Sequence, residues 1–347
     1  MRCERRFSAL AVVLLASLLS TSAAAQWLNY PTPGTPRLPD GKPNLAAPAP
    51  RAADGKPDLS GVWRGAGPLY RFNIAQDLKP EDIQPWAEEL FLRRVRDSRK
   101  DSPLARCFPV SIPFHNFFNL TRIVQTPALI VMLYESPNSP HRTVFTDGRD
   151  LPKDPNPTWL GYSVGRWEGD TLVVTSAGFT DRAWLDSAGH PVTESLRITE
   201  RLRRRDFGHM DFEITIDDPQ VFTRPFTVKA ERLLAPDTDL LEDVCENERD
   251  VALMSGDPGI RLSPEVLATY AGVYEFASGR EVAITVTGDM LFVRGLNEPK
   301  LPLLAQSDTH FMSTATPTGF EFVRDARGKV SHLIVRGEGG ERRAVRK

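Results

Sequence analysis

"GYSVGRWEGDTLVVTSAGF", residues 161–179, reads as two runs of alternating side chains around Glu168-Gly169-Asp170. A short glycine-containing loop between β-branched and aromatic runs is a hairpin signal. The same pattern continues on both sides. Upstream, "LTRIVQTPALIVMLYE" carries β-branched residues interrupted by a Thr-Pro step, and "HRTVFTDGR" ends in an Asp147-Gly148 turn. Downstream come "TESLRITERL", "HMDFEITID" and "FTVKAERLL", each set off by turn residues. No long helical period separates these runs, which argues against βαβ units and for an antiparallel barrel or sandwich.

One helix is legible before the sheet. "KPEDIQPWAEELFLRRVRDS" has early acids, Pro85 suited to a first turn, and Arg93, Arg94 and Arg96 late. Trp86, Leu90 and Val95 are spaced as its apolar stripe. Residues 26–57 are rich in Pro, Ala and Gly without period and predict an extended, mostly disordered lead-in, although "PDGKPNL" and "ADGKPDL" repeat a turn. A boundary falls near residues 255–264, where Ser263-Pro264-Glu265 reads as an N-cap with a first-turn proline. The expected fold is all-β. An antiparallel, lipocalin-like barrel with one N-terminal helix occupies 58–254, and a small antiparallel β meander occupies 263–347.

"MRCERRFSALAVVLLASLLSTSAAAQ" opens with Arg2, Arg5 and Arg6, continues in an apolar run to about Leu19, and closes on Ala23-Ala24-Ala25. That is the form of a secretory signal ending at residue 25. Its apolar core is short for a membrane span. The expected location is the periplasm or the exterior, with no transmembrane segment. Cleavage removes Cys3 and leaves Cys107 and Cys245, best read as one disulfide, with two buried thiols or a metal site as the alternatives. A net charge of −2 with both signs interspersed excludes the electrostatic footprint of a nucleic-acid binder.

Two resemblances follow from longer motifs. "SPEVLATYAGVYEF" and the meander after it resemble the small lipocalin-like domain appended to exported serine β-lactamase-like hydrolases. In those proteins it carries no catalytic residue, and the S-x-x-K signature is absent from this sequence. "DPNPTWLGYSVGRWEGDTLVV" and "WLDSAGHPVTESLRITERLRRRDFGHMD" resemble a widespread family of uncharacterised exported bacterial β proteins. That resemblance covers residues 54 to about 250. It implies an exported β domain and no particular substrate.

Chemistry concentrates in residues 184–211. Asp186, His190 and Glu194 lie four apart, but Gly189 and Pro191 argue against a helix and for a turn at a barrel mouth. His190 is the candidate proton shuttle, Asp186 its orienting partner and Glu194 a second acid or base. Read as a strand, Glu194, Leu196, Ile198, Glu200 and Leu202 share one face, so Glu194 and Glu200 are both carried inward with apolar neighbours. Buried carboxylates require partners; the competing reading is that inward arginines pair with both and brace the barrel. Trp159, Tyr162 and Trp184, with Glu200, are the candidate substrate-binding residues, and the aromatics serve equally as core. Ser163 in "GYSVG" has the outward form of a nucleophile elbow without its strand-to-helix context. No metal or cofactor is expected. The leading expectation is a metal-independent acid/base enzyme (a hydrolase, lyase or isomerase) acting on a small organic or carbohydrate-like molecule. The alternatives are a small-ligand binding or carrier protein and an assembly module.

Overall fold

The alternation read from residues 161–179 becomes two strands of a closed ring. The computed structural model describes residues 30–65, 67–136, 138, 141–245, 259–313, 316, 318–337 and 340–347. The expected signal segment lies outside the described residues. The first ring contains β1 (Gly61–Gly65), β2 (Thr121–Gln125), β3 (Leu129–Tyr134), β4 (His141–Phe145), β5 (Tyr162–Glu168), β6 (Thr171–Ala177), β7 (Arg197–Arg204), β8 (His209–Asp217) and β9 (Phe226–Leu234). These nine strands pair in chain order and close through β1 and β9.

One pair departs from the expected antiparallel pattern. β4 and β5 run parallel, with Val144 opposite Ser163 and Phe145 opposite Val164. Strand direction must return to itself around a closed ring, so the number of antiparallel pairs is even. Nine strands therefore require a parallel pair. A parallel pair needs a long connection that carries the chain back to the starting end. Residues 146–161 provide it, stiffened by Pro152, Pro155 and Pro157. At Gly165 a Cβ would meet Val144 and Thr146 at 3.0 and 3.1 Å, so a bare backbone lets β5 lie close to β4.

The ring is filled rather than hollow. Ile123, Met132, Val144, Val174, Ile198, Leu202, Phe212, Ile214 and Ile216 alternate inward and belong to one apolar cluster. In β8 the inward set is Met210, Phe212, Ile214 and Ile216, as the alternation predicts. A short helix, α2 (Ile112–Phe117), follows α1 (Pro85–Arg96), and its buried His115 and Asn116 join the interior. Ser111 caps α2, and Phe117 packs edge-on to Phe212 at 5.9 Å.

The second unit is a barrel in its own right, not an open meander. Strands β10 (Gly272–Phe276) to β17 (Gly340–Arg346) pair consecutively, and β10 closes onto β17. Eight strands satisfy the direction rule without a parallel pair. Tyr270, Phe311 and Phe322 form its aromatic centre, with ring centroids 4.5–5.5 Å apart. The short helix before it, α3 (Pro264–Ala268), is capped by Ser263 as expected.

Helix α1 joins the two rings. Its buried side is Ala87, Phe91, Leu92 and Val95. Trp86 and Leu90, placed on the stripe by spacing, are less buried, and the Trp86 indole instead donates to the Gln220 carbonyl at 2.9 Å. Phe91, Leu92 and Val95 pack with Ala188 against Met290, Phe292 and Leu304 of the second barrel. An Arg96–Asp289 ion pair at 2.6 Å borders this contact.

The lead-in differs from the disordered segment expected. From residue 30 it is laid along the first barrel as a strap with two equivalent turns. Arg37 donates to the Gly41 carbonyl and grips Asp237, while Arg51 donates to the Gly55 carbonyl and grips Asp170. Cys107 and Cys245 form a disulfide whose loop encloses most of the first ring. Among the described residues no helix is long and apolar enough to cross a membrane.

Candidate functional site

The connection from β6 to β7 holds Asp186 and His190 in a tight hairpin. Trp184 bridges Pro191, and the Leu185 amide donates to the His190 carbonyl at 2.9 Å. Gly189 turns the chain at φ 112°, a conformation that side-chain-bearing residues avoid. The Asp186 carboxylate gathers the turn, accepting from the amides of Ile74, Gly189 and His190. His190 Nδ1 lies 2.9 and 3.1 Å from the two carboxylate oxygens. Both side chains are nearly enclosed, with 3% and 4% exposure. The imidazole stacks on Phe91 at 4.1 Å, and Phe91 stacks in turn on Phe292 at 6.4 Å.

The expected partnership of Asp186 and His190 is therefore present, but the expected third member is absent from it. Glu194 sits exposed on a turn, because β7 begins only at Arg197 and the alternation does not extend back to it. No hydrogen bond or ion pair joins Glu194 to the other two among the described residues. Nor does His190 line any of the clefts described below.

Glu200 does point inward, and it anchors a polar belt within the ring. Arg142 Nη2 donates to Glu200 Oε2 at 2.6 Å, and Asn116 Nδ2 donates to Oε1 at 2.8 Å. Arg142 also donates to Ser176 and Ser163, whose hydroxyls are 2.8 Å apart. Arg232 Nη1 donates to Asn116 Oδ1 at 3.1 Å. His115 stacks on Tyr134 at 3.8 Å with the rings 7° from coplanar. Burial pushes the His115 pKa down to about 3, partly offset by Asn119, so the ring is neutral. Burial likewise lowers Arg232 to about 10 and raises the Tyr134 phenol. Arg142 is buried too, but Glu200 holds its guanidinium above the ordinary value. Ser163 is thus a strand residue bonded within this belt, not a nucleophile on an elbow.

Arg142, Arg232, His115 and Asn116 are the interior polar residues that sequence reading missed. The signal was present: "HRTVF" puts Arg142 in phase with Val144, and "FTVKAERLL" puts Arg232 in phase with Phe226, Val228 and Leu234. An arginine on the apolar phase of a strand requires an inward carboxylate, which Glu200 supplies.

Three clefts lie outside the ring. One of about 480 Å³ is walled by the strap at Thr32–Thr35 and Pro50, and by Val62, Val124, Phe207 and Leu234 of the barrel. Arg122 and Asp58 also reach it. A second, of about 160 Å³, lies beside Trp184, where Arg93, Arg94, Arg99 and Lys100 outnumber Asp97 and Asp101. There Arg94 packs over the Trp184 ring at 4.4 Å and donates to the Gly189 carbonyl, and burial lowers its pKa to about 10. A third, smaller hollow touches Trp184, Asp186 and Ser111. Trp159 stacks on Phe108 at 5.5 Å under Arg182, and Tyr162 stacks on Phe145 at 5.3 Å and accepts from Arg149. These aromatic groups do not converge with Glu200 on one cavity. Among the described residues no group of three or more His, Cys, Asp or Glu side chains could hold a metal ion. No protein-family model and no curated protein matches this sequence.

Proposed function

We propose that this chain is an exported binding protein that holds a small amphipathic organic acid in the cleft between its strap and its first barrel. The cleft carries the reading. Its volume of about 480 Å³ falls in the range of small-molecule sites, and such sites combine apolar walls with a few placed polar groups. Val62, Ile123, Val124, Phe207 and Leu234 supply the walls. Arg122 spends Nη2 on Asp239 and has further donors to offer a carboxylate or sulfonate at the rim. The barrel interior is packed with side chains, which favours a ligand on the flank. The leader-like sequence and the disulfide support an extracytoplasmic location.

The test is fluorescence titration with 1-anilinonaphthalene-8-sulfonate, an apolar ring system carrying one anionic group. Binding should saturate near one equivalent and disappear in Ala235→Trp, which fills the cleft, while the melting curve is retained. Arg122→Gln should weaken this probe more than the uncharged N-phenyl-1-naphthylamine. Equal binding by wild type and Ala235→Trp would dismiss the cleft.

A second reading rests on His190. Its Nδ1 is held by Asp186, the partnership that orients the imidazole of a general base. On this reading the chain is an acid/base hydrolase, lyase or isomerase without Glu194. A turnover screen with His190→Ala as control tests it, and activity that survives the substitution rejects it.

A further inference from the structure

We infer that the belt inside the first barrel is a binding site for one compact monovalent anion, a halide or a small planar oxyanion. The site is distinct from the flank cleft and does not depend on it.

The first argument is charge. Arg142 and Arg232 face the single carboxylate of Glu200, and Arg142, Arg232 and Glu200 are 3%, 1% and 0% exposed. Two guanidinium groups against one carboxylate leave one positive charge in excess. The other titratable groups facing them, His115 and Tyr134, are both held neutral by burial and bring no negative charge. An uncompensated charge taken out of water costs several kcal/mol, so buried charges are found paired.

The second argument is the set of unused guanidinium donors. Arg232 commits only Nη1, and its Nε and Nη2 are buried without a partner. Arg142 Nη1 is also buried and unpartnered, as are the Thr121 hydroxyl, the neutral His115 ring (one nitrogen a donor, the other an acceptor) and the Asn119 carbonyl oxygen, which add donors and acceptors alike. These groups share one belt. Thr121 stands opposite Tyr134 in the β2–β3 register, His115 stacks on Tyr134, and bonds run from Arg232 through Asn116 and Glu200 to Arg142. The excess is therefore of donors as well as of charge, and the species that answers both is an acceptor bearing one negative charge. Size follows from packing. The inward residues around the belt are large and apolar, which favours a ligand of one or a few atoms over an organic body.

The test uses bromide, in crystals of the full mature chain grown without halide and then soaked. Anomalous scattering should place bromide against Arg232 Nη2 and Arg142 Nη1. Ordered water on those nitrogens, with no anomalous peak, overturns the proposal. In solution, melting temperature should rise and saturate as bromide replaces gluconate at constant ionic strength. Arg232→Gln, which keeps an amide for Asn116, should raise the half-saturating bromide concentration about tenfold or more. An unchanged response in Arg232→Gln also overturns it. The crystal experiment reads the wild-type chain, so a poorly folding variant does not remove the test. Loss of the naphthalene probe would dismiss the flank cleft and leave this site untouched.

Discussion

Replacing Glu200 with alanine strips the only carboxylate, among the described residues, from a belt that holds two guanidinium groups. The Arg142 ion pair at 2.6 Å and the Asn116 hydrogen bond at 2.8 Å are lost together. The larger loss is what stays behind, since both arginines remain buried with no counter-charge. Breaking a buried pair from one side costs about 3–5 kcal/mol. At about 2–4 °C per kcal/mol for a unit of this size, the first barrel should melt about 6–20 °C lower. Glu200→Gln should fall between wild type and alanine, because the amide still accepts one hydrogen bond. The double variant Arg142→Met/Glu200→Leu removes both ends of the pair and should recover much of the loss, since apolar replacements of buried pairs are often neutral. Urea unfolding followed by tryptophan fluorescence reports the first barrel through buried Trp63. A cost below about 1 kcal/mol for Glu200→Ala is the value of an exposed pair. That result would mean the belt is hydrated, and the argument from buried charge would fail.

Other perturbations have equally definite outcomes. His115 is held neutral with a pKa near 3, below its unfolded value of about 6.5, so the unfolded chain binds the extra proton in between. Its contribution to stability is complete above about pH 6.5 and falls toward pH 3 with a slope approaching 1.4 kcal/mol per pH unit; His115→Leu should flatten that limb in pH-dependent unfolding. Opening the disulfide with Cys245→Ser releases a closed loop of 138 residues, which the chain-entropy relation values at about 5 kcal/mol, measurable as a lower urea midpoint. Phe91→Ala removes the ring between His190 and Phe292 and should cost about 3–5 kcal/mol, detected by calorimetry as a weakened coupling of the two barrels' transitions. Arg51→Ala frees one exposed strap clip, so limited proteolysis within residues 30–57 should accelerate while global melting stays unchanged.

The strands were legible because alternation is local: each of "HMDFEITID" and "FTVKAERLL" states its own inward face. The strand count led to a barrel for the first unit, but the closure of the second was missed, since it depends on pairing between distant ends such as Tyr274 and Arg346. The parallel β4–β5 pair left one trace, a connection too long for a hairpin, in residues 146–161. The partnership of Asp186 with His190 was readable from spacing and from the Gly-His-Pro turn. Placing Glu194 beside them failed because alternation was extended four residues ahead of the strand. The ordered strap was hidden by composition, which reports prolines and glycines but not the reach of Arg37 and Arg51 to aspartates on the barrel. The phase of Arg142 and Arg232 in their strands signalled that both face inward, but a sequence does not show which partners meet them there.

The odd strand count of the first barrel also constrains how this protein can change. Replacing residues 146–161 with a tight two-residue turn would reverse the direction of every strand from β5 to β9, and β9 would then meet β1 with the wrong polarity. Shortening that connection is tolerable only together with the gain or loss of a strand elsewhere. Insertions at the β5–β6 turn carry no such condition. Homologous barrels that share this topology should therefore vary freely at the hairpins and keep a long, stiff return path between their fourth and fifth strands.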